Sequence, residues 1–256
     1  IMATTEKTLK EMLDNAVHFG HKSSKWNPRM KPFIYANRGG VHIIDLSSTA
    51  EKLEEAMKFL TTMASEGATM LFVGTKPQSF EIIKKAAKEC GAFYIIKKWV
   101  PGCLTNFSTI KLRIKRLKDL KKEREETDFE KYTKKEKGQM IKEINTLEDA
   151  FGGVEELKGK PKVVIVADAR RDVIALTEAK KLGIPSVAIV DTNADPGLVT
   201  YPVPGNDDAI KSLQYLIGKF EEAVVKGRKG GKAKAEKEEK EKAEMAEKAE
   251  KAEKAE

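Results

Sequence analysis

Two short stretches decide the fold: Val163-Val164-Ile165-Val166-Ala167-Asp168 and Ser186-Val187-Ala188-Ile189-Val190-Asp191. Both are apolar without polar alternation, and a strand can afford that only when both its faces are covered. A helical stretch ending at Leu182-Gly183 separates them. The same unit recurs upstream. Met70-Leu71-Phe72-Val73 runs into Gly74-Thr75-Lys76-Pro77, with the proline placed for a first helical turn, and a helix to Cys90 stopped by Gly91. Phe93-Tyr94-Ile95-Ile96 is a further strand, and Val41-His42-Ile43-Ile44-Asp45 another. Ser48-Thr49-Ala50-Glu51 has the spacing of a capping box for the helix that ends at Gly67. A last helix follows Gly205-Asn206-Asp207-Asp208, with Ile210, Leu213, Leu216, Ile217 and Phe220 on one face. Strands alternating with helices predict a doubly wound α/β domain, a parallel sheet with helices on both faces, spanning residues 41–105 and 152–227.

Residues 106–151 break the rhythm. Ile110, Ile114 and Leu117, then Met140, Ile144, Leu147 and Phe151, step by three and four. Thr133-Lys134-Lys135-Glu136 is a second capping box after a polar stretch. Two narrow apolar stripes predict a protruding antiparallel helical hairpin, a coiled coil, inserted into the domain. Residues 1–40 form an N-terminal helix and a basic-aromatic arm. Residues 228–256, ending in Ala-Glu-Lys triplets, form a charged tail that is disordered or a solvated helix.

Composition narrows the function. The 256 residues carry 48 Lys+Arg against 40 Asp+Glu, a net charge of +8, which favours nucleic acid as partner. No apolar run is long enough for a membrane span, and Ile1-Met2-Ala3-Thr4-Thr5-Glu6-Lys7 lacks the apolar stretch of a secretory signal. Cys90 and Cys103 make no disulfide framework, so a reducing, cytoplasmic setting is expected.

Catalysis finds little support. Asp168 and Asp191 stand at strand ends, where doubly wound folds bind ligands, and a nucleotide- or metal-dependent enzyme would use them. Yet Gly74-Thr75-Lys76 lacks phosphate-loop spacing, and no dinucleotide fingerprint or nucleophile elbow occurs. An aspartate at a strand end more often caps the next helix. His18 and His21 could join Asp191, Asp207 or Asp208 around a divalent metal, but hydrogen-bonded structural histidines are the stronger expectation, and no cofactor is assigned. His42 reads as packing.

The basic residues are better organised. Lys22, Lys25, Arg29, Lys31 and Arg38 occur without an acid between them, interleaved with Trp26, Phe33, Tyr35, Pro28 and Pro32. Prolines exclude a long helix, so the segment reads as an extended arm laying cations on phosphates, with Trp26 and Phe33 as anchors. In the first hairpin helix, Lys111, Arg113, Lys115, Arg116, Lys118, Lys121 and Lys122 face the single acid Asp119. Like charges four apart repel by about 0.2–0.5 kcal/mol a pair, so such a run points to a nearby anion, the phosphate backbone. Asn106 and Asn193 are expected to hold loops through their own backbones.

Val17-His18-Phe19-Gly20-His21, Trp26-Asn27-Pro28-Arg29-Met30-Lys31-Pro32-Phe33-Ile34, Phe72-Val73-Gly74-Thr75-Lys76, Ile114-Lys115-Arg116-Leu117, Asp191-Thr192-Asn193-Ala194-Asp195-Pro196 and Pro204-Gly205-Asn206-Asp207-Asp208-Ala209-Ile210 together resemble the bacterial-type small-subunit ribosomal protein two family, over about residues 8–227. The resemblance implies a flavodoxin-like sheet with an inserted hairpin. It implies a non-enzymatic structural constituent of the small ribosomal subunit, supporting translation and binding rRNA between head and body. The partners implied are small-subunit rRNA, other small-subunit proteins and ribosomal protein one, with no membrane and no small-molecule substrate.

Overall fold

The computed structural model describes residues 2–127, 129 and 131–253, and the side chains of 6–127, 129 and 131–231. Its centre is a five-stranded parallel sheet: β4 (Met70–Gly74), β5 (Phe93–Ile96), β6 (Val163–Val166), β7 (Ser186–Val190) and β8 (Tyr201–Pro204). The spatial order is β5-β4-β6-β7-β8. Counted within this sheet that is 2-1-3-4-5, the flavodoxin-like order, with its switch point between β4 and β6.

The unalternating strands are buried on both sides. Val164, Val166, Leu71 and Val73 face one cluster with Ala175, Leu176 and Ala179 of α6 (Val173–Lys181). Val163, Ile165, Met70 and Phe72 face the other, under α2 (Leu46–Ser65), α3 (Phe80–Cys90) and α7 (Ile210–Glu253). Met12 of α1 (Met2–Asp14) joins that second cluster. Strand β8, Tyr-Pro-Val-Pro, was not foreseen; its two prolines suit an edge strand, where a missing N–H breaks no ladder.

Three expectations are corrected. The stretch from Val41 is not in the parallel sheet. As β3 (Val41–Ile44) it pairs antiparallel with β1 (Phe19–Lys22) and β2 (Ile34–Arg38), so much of the arm is a separate three-stranded sheet. Ser48 does not cap α2. Asp45 does, its carboxylate accepting from the Ser47 and Ser48 N–H groups at 3.0 and 3.4 Å. Ile210 is 54 % exposed, while Leu213, Leu216, Ile217 and Phe220 are fully buried.

The interrupting segment forms α4 (Phe107–Thr127) and α5 (Lys134–Phe151). The Thr133 capping box is present: its hydroxyl accepts from Glu136 N–H, and the Glu136 carboxylate accepts from Thr133 N–H at 2.9 Å. Ile110, Ile114, Leu117 and Leu120 meet Ile144, Leu147 and Phe151, but the cluster continues without a break into the sheet face at Leu71 and Val73. The stripes therefore serve the body as well as each other. The backbone of α7 is helical through Glu253; the side chains of the Ala-Glu-Lys tail lie outside the described residues.

Candidate nucleic-acid interface

The carboxyl edge of the sheet, where this fold places ligands, is filled by the chain's own charges. Lys76, just past β4, sends its ammonium 3.2 Å from Asp168, 2.8 Å from Asp207 and 2.6 Å from Asp208. Burial alone would lower its pKa, but the Asp207 hydrogen bond and the surrounding carboxylates raise it, so it stays charged. Asp168 caps the turn after β6, one oxygen accepting from the Arg170 and Arg171 N–H groups at 2.9 and 2.7 Å. Asp191 accepts from the hydroxyl of Thr192, and its second oxygen lies 3.1 Å from His21 Nδ1. Asp172, pushed up to about 6 by burial, binds the Thr75 hydroxyl at 2.7 Å. The strand-end aspartates thus cap and clamp.

His21 lies on β1, not on a helix. Its Nε2 is 3.4 Å from Asp208, and the hydrogen bond to Asp191 raises its pKa. His21, Asp191 and Asp207 offer donor atoms within 4.8 Å of one another. Asp207 is 1 % exposed, its Oδ2 has no hydrogen-bond partner, and burial beside Asp168 and Asp191 pushes its pKa up to about 7. One nitrogen and two carboxylates suit a first-row divalent cation such as Zn²⁺.

The arm is tied down along its length. His21 N–H donates to the Thr192 hydroxyl at 2.9 Å, and Gly20 is required beside it, since a Cβ there would sit 2.6 Å from the Thr192 methyl. Asn27 N–H donates to Thr192 O at 2.7 Å, and Arg29 pairs with Asp195 at 2.6 Å. Arg29 is therefore a clamp to the body, a use the sequence pattern did not show. Phe33 packs on the main cluster; Trp26 lies 5.4 Å from the His42 ring and stays partly exposed. Lys22, Lys25, Lys31 and Arg38 are exposed, with no side-chain partner among the described residues.

The cations of α4 divide in two. Arg116 pairs with Glu143, Lys118 with Glu156, Lys121 with Glu148 and Glu155, and Lys122 with Glu126. Lys111, Arg113, Lys115 and Arg124 are exposed and have no such partner among the described residues.

Glu178, on α6, was missed. Its carboxylate accepts from Trp99 Nε1, the N–H groups of Gly102, Leu104 and Thr105, and the Thr105 hydroxyl, all within 3.1 Å. Burial works to raise its pKa, but these donors hold it below the ordinary glutamate value. It fixes the loop from which α4 starts. A lone glutamate in an amphipathic helix carries no sequence signal for this. Asn106 accepts from the Ser108 and Thr109 hydroxyls instead of its own backbone, and Asn193 Oδ1 has no partner. Cys90 and Cys103 are buried free thiols, both pushed up to about 12 by burial and so unreactive.

Known proteins resemble this chain over nearly the whole described body. The family model described as ribosomal protein S2 matches residues 12–227. The small ribosomal subunit protein uS2 of Dictyoglomus thermophilum is 46 % identical over 220 residues, 86 % of this chain and 89 % of that protein. Its counterpart from Dictyoglomus turgidum is equally similar. That of Coprothermobacter proteolyticus is 45 % identical over 223 residues, 87 % of this chain and 83 % of its own. With the 2-1-3-4-5 sheet and the cation-bearing arm and helix, this similarity means that the chain belongs to the ribosomal protein S2 family.

Proposed function

We propose that the chain is a structural, rRNA-binding constituent of the small ribosomal subunit, without catalytic activity. One observation carries the reading: Lys22, Lys25, Lys31 and Arg38 on the arm and Lys111, Arg113 and Lys115 on α4 are exposed cations without partners among the described residues. Elsewhere on the same helix Arg116, Lys118 and Lys121 are paired. An anionic partner completes them, and an RNA backbone is the polyanion a ribosomal protein meets. In this reading the α4–α5 pair is the projecting hairpin that docks on rRNA, the body sits between head and body of the subunit, and other small-subunit proteins, ribosomal protein one among them, are neighbours. Sedimentation of tagged protein through a salt-washed gradient tests it. Co-migration with small subunits, weakened by reversing Lys111, Arg113 and Lys115 to Glu, is expected; a purely free pool contradicts it.

The unpartnered Asp207 Oδ2 favours one addition, a structural divalent cation held by His21, Asp191 and Asp207. Both ring nitrogens of His21 face carboxylates, so loading would release a proton from the imidazolium. Such an ion would tie the arm to the sheet edge. Elemental analysis of purified protein tests it.

A further inference from the structure

Where the arm crosses the carboxyl edge of the sheet, an open cleft of about 580 Å³ is lined by Lys25, Trp26, Asn27, Pro28, Arg170 and Asn193. Its size is that of a small-ligand pocket. Two features set it apart from the Lys76 cluster next to it. Lys25 and Arg170 are exposed and share the cleft with no acidic side chain lining it. The Trp26 ring, 37 % exposed, is a large aromatic surface that the core does not use up.

Both walls are rigid. Asn27 N–H donates to Thr192 O at 2.7 Å, and the Arg29–Asp195 pair holds the arm beyond it. On the other side Asp168 fixes the backbone of Arg170 and Arg171. The backbone of both walls is therefore set before a ligand binds, which reduces the ordering cost of binding.

We propose that this cleft holds one unstacked nucleotide of single-stranded RNA, its phosphate between Lys25 and Arg170 and its base against Trp26. The proposal rests on the rRNA-binding reading above and adds a base-accepting site to it. Cations alone would suit any phosphate. The ring calls for a base, and bases are free to enter such a cleft in loops and bulges, not in a duplex. No carboxylate lines the cleft to take ribose hydroxyls as dinucleotide sites do, which argues against a free cofactor.

The test uses the full chain and tryptophan emission. A mixed-sequence single-stranded 10-mer oligoribonucleotide should quench emission saturably, a duplex of equal length should bind without that quench, and inorganic phosphate or a free mononucleotide should leave emission unchanged at the same concentration. Trp26→Phe should abolish the quench, because Trp99 is buried and bonded to Glu178. Arg170→Glu should weaken single-strand binding about tenfold and the duplex far less. Reversing Lys111, Arg113 and Lys115 should weaken both RNAs and leave the quench at saturation intact. RNA binding without a Trp26-dependent quench, or with an equal quench by duplex, overturns the cleft and leaves the rRNA reading standing. Absence of binding to any RNA overturns both.

Discussion

The carboxyl edge of the sheet and the outer face of α4 are both crowded with charge, and they treat it in opposite ways. At the edge, Lys76 is enclosed by Asp168, Asp207 and Asp208, and His21 by Asp191 and Asp208, so opposite charges are spent on one another. On α4, Lys111, Arg113 and Lys115 stay exposed without a partner among the described residues. A charge that the fold has already paired within itself is structural. One left open beside others of its sign is there for something outside the chain. Sequence position cannot separate the two cases, because both are runs of ionisable residues near helix ends.

The largest effect should come from the group that fixes the root of α4. Glu178→Ala leaves the buried Trp99 Nε1–H and Leu104 N–H and the part-buried N–H groups of Gly102 and Thr105 without an acceptor and should lower stability by about 3 kcal/mol or more, read by chemical denaturation. Should Glu178→Ala unfold as the parent does, the root of α4 is held by something else. Next comes the division within α4. Replacing Lys111, Arg113 and Lys115 singly by Ala should each reduce the salt slope of rRNA binding by about 1, whereas Arg116→Ala, which breaks an internal pair, should change it far less. Equal slopes would erase the distinction between paired and open cations.

Glu178 also gives the comparison a pH dependence. Its folded pKa is depressed, so its contribution is present above the unfolded value of 4.5 and is lost as pH falls through the folded one. Acid titration of stability should therefore steepen below pH 4.5, and Glu178→Gln should remove that part of the curve. At the sheet edge, Zn²⁺ should raise the Tm of the parent protein and not of Asp207→Asn; an identical rise in both would remove Asp207 from the site. The smallest effect belongs to the exposed Arg116–Glu143 pair, whose loss should cost at most about 1 kcal/mol of stability in a double-mutant cycle.

Much of the fold was legible because burial on two faces leaves a plain mark: Val163–Val166 and Ser186–Val190 could only be interior parallel strands. The antiparallel pairing of β3 with the arm was not. Val41–Ile44 has the same apolar run, and nothing in four residues says which neighbour supplies the hydrogen bonds. Strand β8 was hidden by its prolines, and the cap of α2 by a serine-rich run in which Asp45 was the better acceptor. The site was half legible. One-sided charge marked the arm and α4, but Arg29, Arg116, Lys118 and Lys121 find acids as much as 166 residues away, which no local pattern contains. Glu178 was invisible for the same reason.

The central claim is that the open cations of the arm and α4 face RNA in the assembled particle. Amine-reactive labelling of lysines, compared between the free protein and the small subunit, tests it most directly. Lys22, Lys25, Lys31, Lys111 and Lys115 should be reactive in the free chain and protected in the subunit, while Lys85, exposed and paired with Glu89 on α3, serves as the comparison away from both surfaces. Unchanged reactivity of those five lysines on assembly would contradict the account.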